Sequence, residues 1–190
     1  MIWDLGVGGD GSSNFTFQFD DIVLTSAGGP VLSQIDLPVT FEDPSVDYTM
    51  TDFGGNISSV VVDPTNASNM VAQAIKDSTA QLWAGTTIGT ANGFASAIPF
   101  VGGSTEITVR VWSPDAGIPV RLKAEDAVDP TISVETEATT TLAGQWEMLT
   151  FDFSNEVPNT AALNLADTYE KLSIFFNFGT DGITAKSIDY

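Results

Sequence analysis

The sequence contains no cysteine and no histidine. The first absence removes disulfides and thiolate chemistry. The second removes the commonest general base and the commonest zinc ligand. Any catalysis would fall to carboxylates, Ser, Tyr or Lys. Basic residues are scarce as well: 6 Lys plus Arg stand against 25 Asp plus Glu, a formal net charge of −19. Phosphate contacts require Lys and Arg, so nucleic acid is excluded as a partner. An anionic membrane surface is excluded by the same sign argument. No apolar run approaches the roughly 18 residues of a membrane helix. Met1 leads straight into glycine-rich sequence, so no signal peptide is read there; a removed signal and a chain cut from a longer protein both fit. Such acidity fits a neutral polymer, a cation such as Ca²⁺ or a saline surrounding, and points to an extracellular or outer-surface location.

What is present is enough to build an interior. The 190 residues are 43% hydrophobic and include 12 Phe and 4 Trp, which argues against disorder. The texture is all-β. Alternating runs recur about every ten residues between Gly, Pro, Asn and Asp. Strands are expected at 38–42, 46–50, 57–62, 70–75, 80–84, 106–113, 119–125, 132–138, 146–153 and 171–178, with a helical turn within 160–170. Some ten strands in one domain indicate a sandwich or a barrel.

The segment 106–125 reads as a hairpin about "SPDAGI". Ile107, Val109 and Val111 fall on one face with Val120, Leu122 and Ala124. Arg110, Trp112, Arg121, Lys123 and Glu125 fall on the other, which gathers three of the six basic residues. If the strands share one sheet, Gln81, Trp83, Phe175 and Asn177 join that face. Aromatics interleaved with amides and charges suit a sugar. A pyranose ring stacks its C–H face on an indole, and its hydroxyls bond amides, guanidinium and carboxylate. The alternative is that each Trp is core, although burying Arg121, Lys123 and Glu125 together would be costly.

A repeat ties the two ends. With Asp10-Gly11 laid on Asp181-Gly182, Gly8 falls on Gly179, Phe17 on Ile188 and Phe19 on Tyr190. The first copy continues with Asp20-Asp21-Ile22. A tandem array of modules about 171 residues long explains this, the offset being 181 − 10. Residues 1–24 are then the closing strands of a preceding repeat, or a strand that completes this module. Residues 25–34 are a linker, and 35–190 form a module lacking its last strand. Chance likeness between two Gly/Asp turns is the alternative.

Other motifs carry less. "GVGGDG" (6–11) fits G-x-G-x-x-G but precedes a strand-like "NFTFQF", not a helix, so a dinucleotide site is rejected. Asn14, Asn56 and Asn66 open N-x-S/T triplets, to which no function is assigned. Glu42-Asp43, Glu125-Asp126 and Glu135-x-Glu137 are carboxylate pairs outside any strong glycosidase signature, and the chain is read as non-catalytic.

The stretches "LPVTFEDPSVDYTMTDFGG" (37–55), "AQLWAGTTIG" (80–89), "TVRVWSPDAGIPVRLKAED" (108–126), "ETEATTTLAGQWEMLTFDFSN" (135–155), "LSIFFNFGTDG" (172–182) and "FQFDDIVL" (17–24) resemble carbohydrate-binding modules of families 4 and 9, as found in multi-modular secreted or surface proteins of marine Bacteroidetes. The resemblance covers about 35–190 plus the N-terminal strand. It implies a jelly-roll β-sandwich of two antiparallel sheets with a glycan groove on the concave face; it does not specify the sugar, for which a β-glucan such as laminarin is the expectation taken. It also implies a structural Ca²⁺. By that pattern Glu42 and Asp43 supply one acidic pair and Asp20 and Asp21 the closing pair, and Ca²⁺ does take several hard oxygen ligands. Solvated turn carboxylates are the alternative. The expected glycan-binding residues are Trp83, Trp112, Arg121, Lys123, Glu125, Asn177 and Gln81, and the expected partners are a neutral polysaccharide and neighbouring similar modules. A second functional reading is a structural repeat of a surface adhesin or fibre, its units linked by β-strand exchange.

Overall fold

The computed structural model describes residues 31–184 and Tyr190. The chain divides into two compact units, Met1–Val31 and Leu32–Tyr190, and the second is the one described. The segment 1–24, with Asp20 and Asp21, lies outside the described residues.

The described residues are all-β, without a helix. The strands are β1 (Ser33–Gln34), β2 (Val46–Asp47), β3 (Thr51–Phe53), β4 (Asn56–Asp63), β5 (Asn66–Lys76), β6 (Gly85–Thr87), β7 (Glu106–Ser113), β8 (Pro119–Glu125), β9 (Ser133–Thr139), β10 (Gln145–Asp152) and β11 (Lys171–Phe176). Five of them form an antiparallel sheet in the order β3-β6-β11-β8-β9, while β7 pairs with β10, β4 with β5 and β1 with β2. The last pair is parallel.

Alternation builds the core. On β8, Val120, Leu122 and Ala124 are fully buried, and their intervening neighbours turn to the other face. Val134, Leu172 and Ile174 join them from β9 and β11, and Val111, Leu149 and Phe151 meet them from β7 and β10. Loop aromatics close the cluster: Phe100 packs on Phe153 and Tyr169 with ring centroids 5.0 and 5.8 Å apart. Burying each such side chain is worth about 1.5–3 kcal/mol, so this cluster fixes which strand face looks outward.

Several expectations change. The runs 106–113 and 119–125 are strands with those bounds, but they are not a hairpin. β7 pairs only with β10, and β8 pairs with β11 and β9. "SPDAGI" therefore crosses from one sheet to the other. It is held by Ile118, 2% exposed, and by Thr140, whose Oγ1 accepts the Ile118 N–H and donates to the Asp115 carbonyl. The segments 38–42 and 80–84 are not strands. Phe41 takes a positive φ of 63°, a strained setting for an aromatic residue. Residues 77–84 form successive turns, with Ala80 N–H on the Asp77 carbonyl and Ala84 N–H on that of Gln81. The expected helical turn within 160–170 is also a run of turns, pinned by Tyr169, whose hydroxyl accepts the Asn164 N–H.

Candidate functional site

The outward face of the five-stranded sheet carries a strip of aromatic rings. Phe175, on β11, is its floor. Phe53, on β3, meets it edge-on at 5.4 Å, and Phe178 meets it from the far side at 5.7 Å. The indole of Trp83 lies nearly parallel to Phe53, at 14° and 6.2 Å. β6 lies alongside β11 with a glycine at its start. A Cβ on Gly85 would come within 2.8 Å of the Phe175 ring and 2.7 Å of the Ile174 carbonyl, so only glycine lets the ring lie there. Trp83 stays 52% exposed. It flanks an open cleft of about 480 Å³, lined also by Phe53, Lys123, Glu125, Glu135 and Phe178.

Beside the rings lies an ion network set by sheet register. Glu125 on β8 is directly opposite Lys171 on β11. Its carboxylate accepts from Lys171 Nζ at 3.0 Å and from Lys123 Nζ at 2.5 Å. Arg121, two residues before Lys123 on the same face, bonds Glu135 at 3.0 Å and Glu137 at 3.2 Å, both from β9. Its guanidinium also lies 3.6 Å above the Phe178 ring centre, a cation–π contact. Thr87 and Ser173 bond each other through their hydroxyls at 2.9 Å. Three cations and three carboxylates thus pair off within the face, leaving it locally neutral in a chain of −19.

Of the residues singled out from sequence, Trp83, Arg121, Lys123 and Glu125 come together here. Gln81 is exposed in the turn before Trp83 and donates to the Thr79 carbonyl. Trp112 and Asn177 do not share the face. Trp112 is on β7, opposite Trp146 of β10. The assumption of a single sheet fails because the core pairs β7 with β10, apart from β8 and β11. Asn177, at φ 53°, is buried; its Nδ2 donates to the Tyr190 hydroxyl and its carbonyl accepts from Lys76 Nζ. Burial lowers the pKa of that lysine, against the pull of Asp181.

Sequence reasoning missed Phe53, Phe178, Lys171 and the Arg121 partners. Glu135 and Glu137 were visible as a pair two apart, on one strand face, but were read for catalysis and not for charge pairing. Phe53 lay beside Gly54-Gly55 in a segment too short to show alternation.

On the other sheet, Trp146 Nε1 donates to Thr65 Oγ1 at 3.0 Å and to Asp63 at 3.3 Å, and Arg110 lies 4.1 Å over the Trp146 ring. Burial would raise the Asp63 pKa. Hydrogen bonds from Thr65, Asn69 and Trp146 outweigh it and hold the carboxyl at about 2. This knot fastens the β4–β5 turn to β7 and β10.

Glu42 and Asp43 are occupied locally. Glu42 accepts the Met70 N–H at 2.6 Å. Asp43 accepts from the Ser45 hydroxyl and N–H, which lower its pKa. Among the described residues, no three His, Cys, Asp or Glu side chains gather where they would hold a metal ion. Compared with protein-family models, with curated proteins and with solved structures, the chain shows no match, and its function rests on its own residues.

Proposed function

We propose that the chain is a non-catalytic, extracellular glycan-binding module of jelly-roll β-sandwich type, and that its site is the aromatic face of the five-stranded sheet. The observation that carries this reading is the half-exposed Trp83 indole, propped on Phe53 at the edge of a cleft with a neutral ion-paired floor. A stacked pyranose covers an indole in this way. Hydroxyls find acceptors in Glu125 and Glu135 and donors in Lys123 and Arg121. The local neutrality favours an uncharged polysaccharide, with a β-glucan as first choice. Each cleft carboxylate is already engaged by one or two cations. A structural Ca²⁺ held by Glu42 and Asp43 with Asp20 and Asp21 belongs to the same proposal, as do tandem copies that raise avidity.

The test is affinity electrophoresis through gels containing a β-1,3-glucan, a mannan or a galactan. At least one should retard the parent. Trp83→Ala should lose about 2 kcal/mol of affinity, near thirtyfold, from the stacked area and ring contact. Trp112→Ala should retain binding. Absence of retardation in every gel, or equal loss in both variants, would refute the assignment.

A further inference from the structure

The register of the five-stranded sheet sorts its outward face into ranks that run across the strands. One rank is continuous from edge to edge. Thr51 on β3 is opposite Thr87 on β6, and Thr87 is opposite Ser173 on β11. Ser173 in turn is opposite Lys123 on β8, and Lys123 is opposite Glu135 on β9. Two residues along each strand, on the same face, lies the rank of Phe53, Phe175, Arg121 and Glu137. Two residues the other way, Lys171 pairs with Glu125. The centre of the first rank is short where both of its flanks are bulky. Thr87 and Ser173 are therefore the bottom of a trench. They are only 7% and 3% exposed, yet both line the cleft beside Trp83.

The two hydroxyls lie 2.9 Å apart and carry two protons. One proton lies between the oxygens. The other finds no side-chain or loop acceptor among the described residues. Lys123, next in the rank, is a donor only, and Glu125 already holds its ammonium. An unpaired buried donor is costly, so its acceptor comes through the cleft. A carboxylate or sulfate would bring negative charge to a floor whose cations are already paired with Glu125 and Glu135. An ether oxygen accepts but has no proton to return. A hydroxyl does both: it accepts the spare proton from one oxygen and donates its own to the other. Three hydroxyls then form a closed ring in which each donates once and accepts once. We propose that Thr87 and Ser173 are specificity-determining residues of the cleft, and that together they read one hydroxyl of the bound sugar. This rests on the glycan reading and adds to it the point at which the sugar is recognised by hydrogen bonding and not by stacking. The hydroxyl rank and the aromatic rank are two residues apart, about 7 Å. One sugar can therefore turn its C–H surface to the rings and this hydroxyl to the floor. A sugar that lacks the hydroxyl, or carries it alkylated, leaves the buried pair unsatisfied and is rejected.

The test is affinity electrophoresis of the full chain through a β-1,3-glucan, a mannan and a galactan. Dissociation constants come from retardation against polymer concentration, and melting temperatures are measured alongside. Against the polymer that retards the parent, Thr87→Val and Ser173→Ala should each weaken binding about tenfold. The double variant leaves no hydroxyl unpaired, so it should melt close to the parent even where a single variant folds poorly. It should bind about as weakly as either single variant, because the first substitution already opens the ring. Thr87→Ser keeps the hydroxyl and should keep the binding. A double variant that binds as tightly as the parent would overturn the assignment and leave the Trp83 site standing. Equal losses in Thr87→Ser and Thr87→Val would also overturn it, since the methyl and not the hydroxyl would then be read. A parent that no polymer retards would overturn the glycan reading and this assignment together.

Discussion

Glu125→Gln is the sharpest perturbation of the candidate site. The Glu125 side chain is only 10% exposed, and its two ammonium partners keep 23% and 15% exposure. At 3.0 Å and an effective dielectric near 20, each attraction is on the order of 5 kcal/mol before desolvation is subtracted. Most of that is offset by the cost of removing three charges from water. The substitution removes the gain and keeps the cost, because Lys123 and Lys171 stay half-buried beside a neutral amide. Breaking a fully buried pair costs about 3–5 kcal/mol, and the residual exposure reduces this to about 2–4 kcal/mol. For a domain of this size that is a fall of roughly 6–12 °C in Tm. The assay is urea unfolding, run at low and high salt, since deleting one carboxylate also relieves general repulsion in a chain of −19. The companion variant Glu125→Leu, Lys123→Met, Lys171→Met should lie within about 1 kcal/mol of the parent, because no charge is left unpaired. A Glu125→Gln cost below about 1 kcal/mol would show the ions to be effectively solvated. A triple variant as unstable as the single one would show that the pairing itself supplies the stability.

Two further outcomes follow from other parts of the chain. Asp63 has its pKa depressed to about 2, so its contribution is complete above the ordinary carboxylate range and is lost as pH falls from about 4 towards 2; the stability gap between the parent and Asp63→Asn should close over that interval in acid titrations followed by circular dichroism. If Glu42, Asp43, Asp20 and Asp21 hold Ca²⁺, dialysis against EGTA should lower the melting temperature and added Ca²⁺ should restore it, whereas Mg²⁺ should not; an unchanged melting temperature would remove the metal from the proposal.

The strands of the second half were legible because their alternation is strict: Ile107 to Val111 and Val120 to Ala124 each mark a face that the core then buries. Alternation does not say which strands are neighbours. Trp112 and Lys123 have matching parity, yet they belong to different sheets, because "SPDAGI" is an arch and local pattern cannot tell an arch from a hairpin. The first half was less legible for another reason. Residues 38–42 have a strand-like composition, but no ladder forms there: Phe41 turns the chain at a positive φ, and Glu42 uses its carboxylate to accept the Met70 N–H. Trp83 was found by residue type, and its platform partner Phe53 became visible only when β3 joined β6.

The arch also bears on the order in which the chain folds. Ser113 and Gln145, the pair at the arch end of the β7–β10 ladder, are about thirty residues apart, and the span between them contains β8 and β9, which pair directly with each other. Once Pro119 and Thr139 are joined, only five residues on either side separate that hairpin from the ladder. The loop to be closed then shrinks from about thirty residues to about twelve, which saves roughly 0.8 kcal/mol of chain entropy. The Ile118–Thr140 bonds form at that junction. Closing the local hairpin first therefore lowers the entropy cost of pairing β7 with β10, and within that pair the contacts nearest the arch, at Ser113 and Gln145, span the least chain.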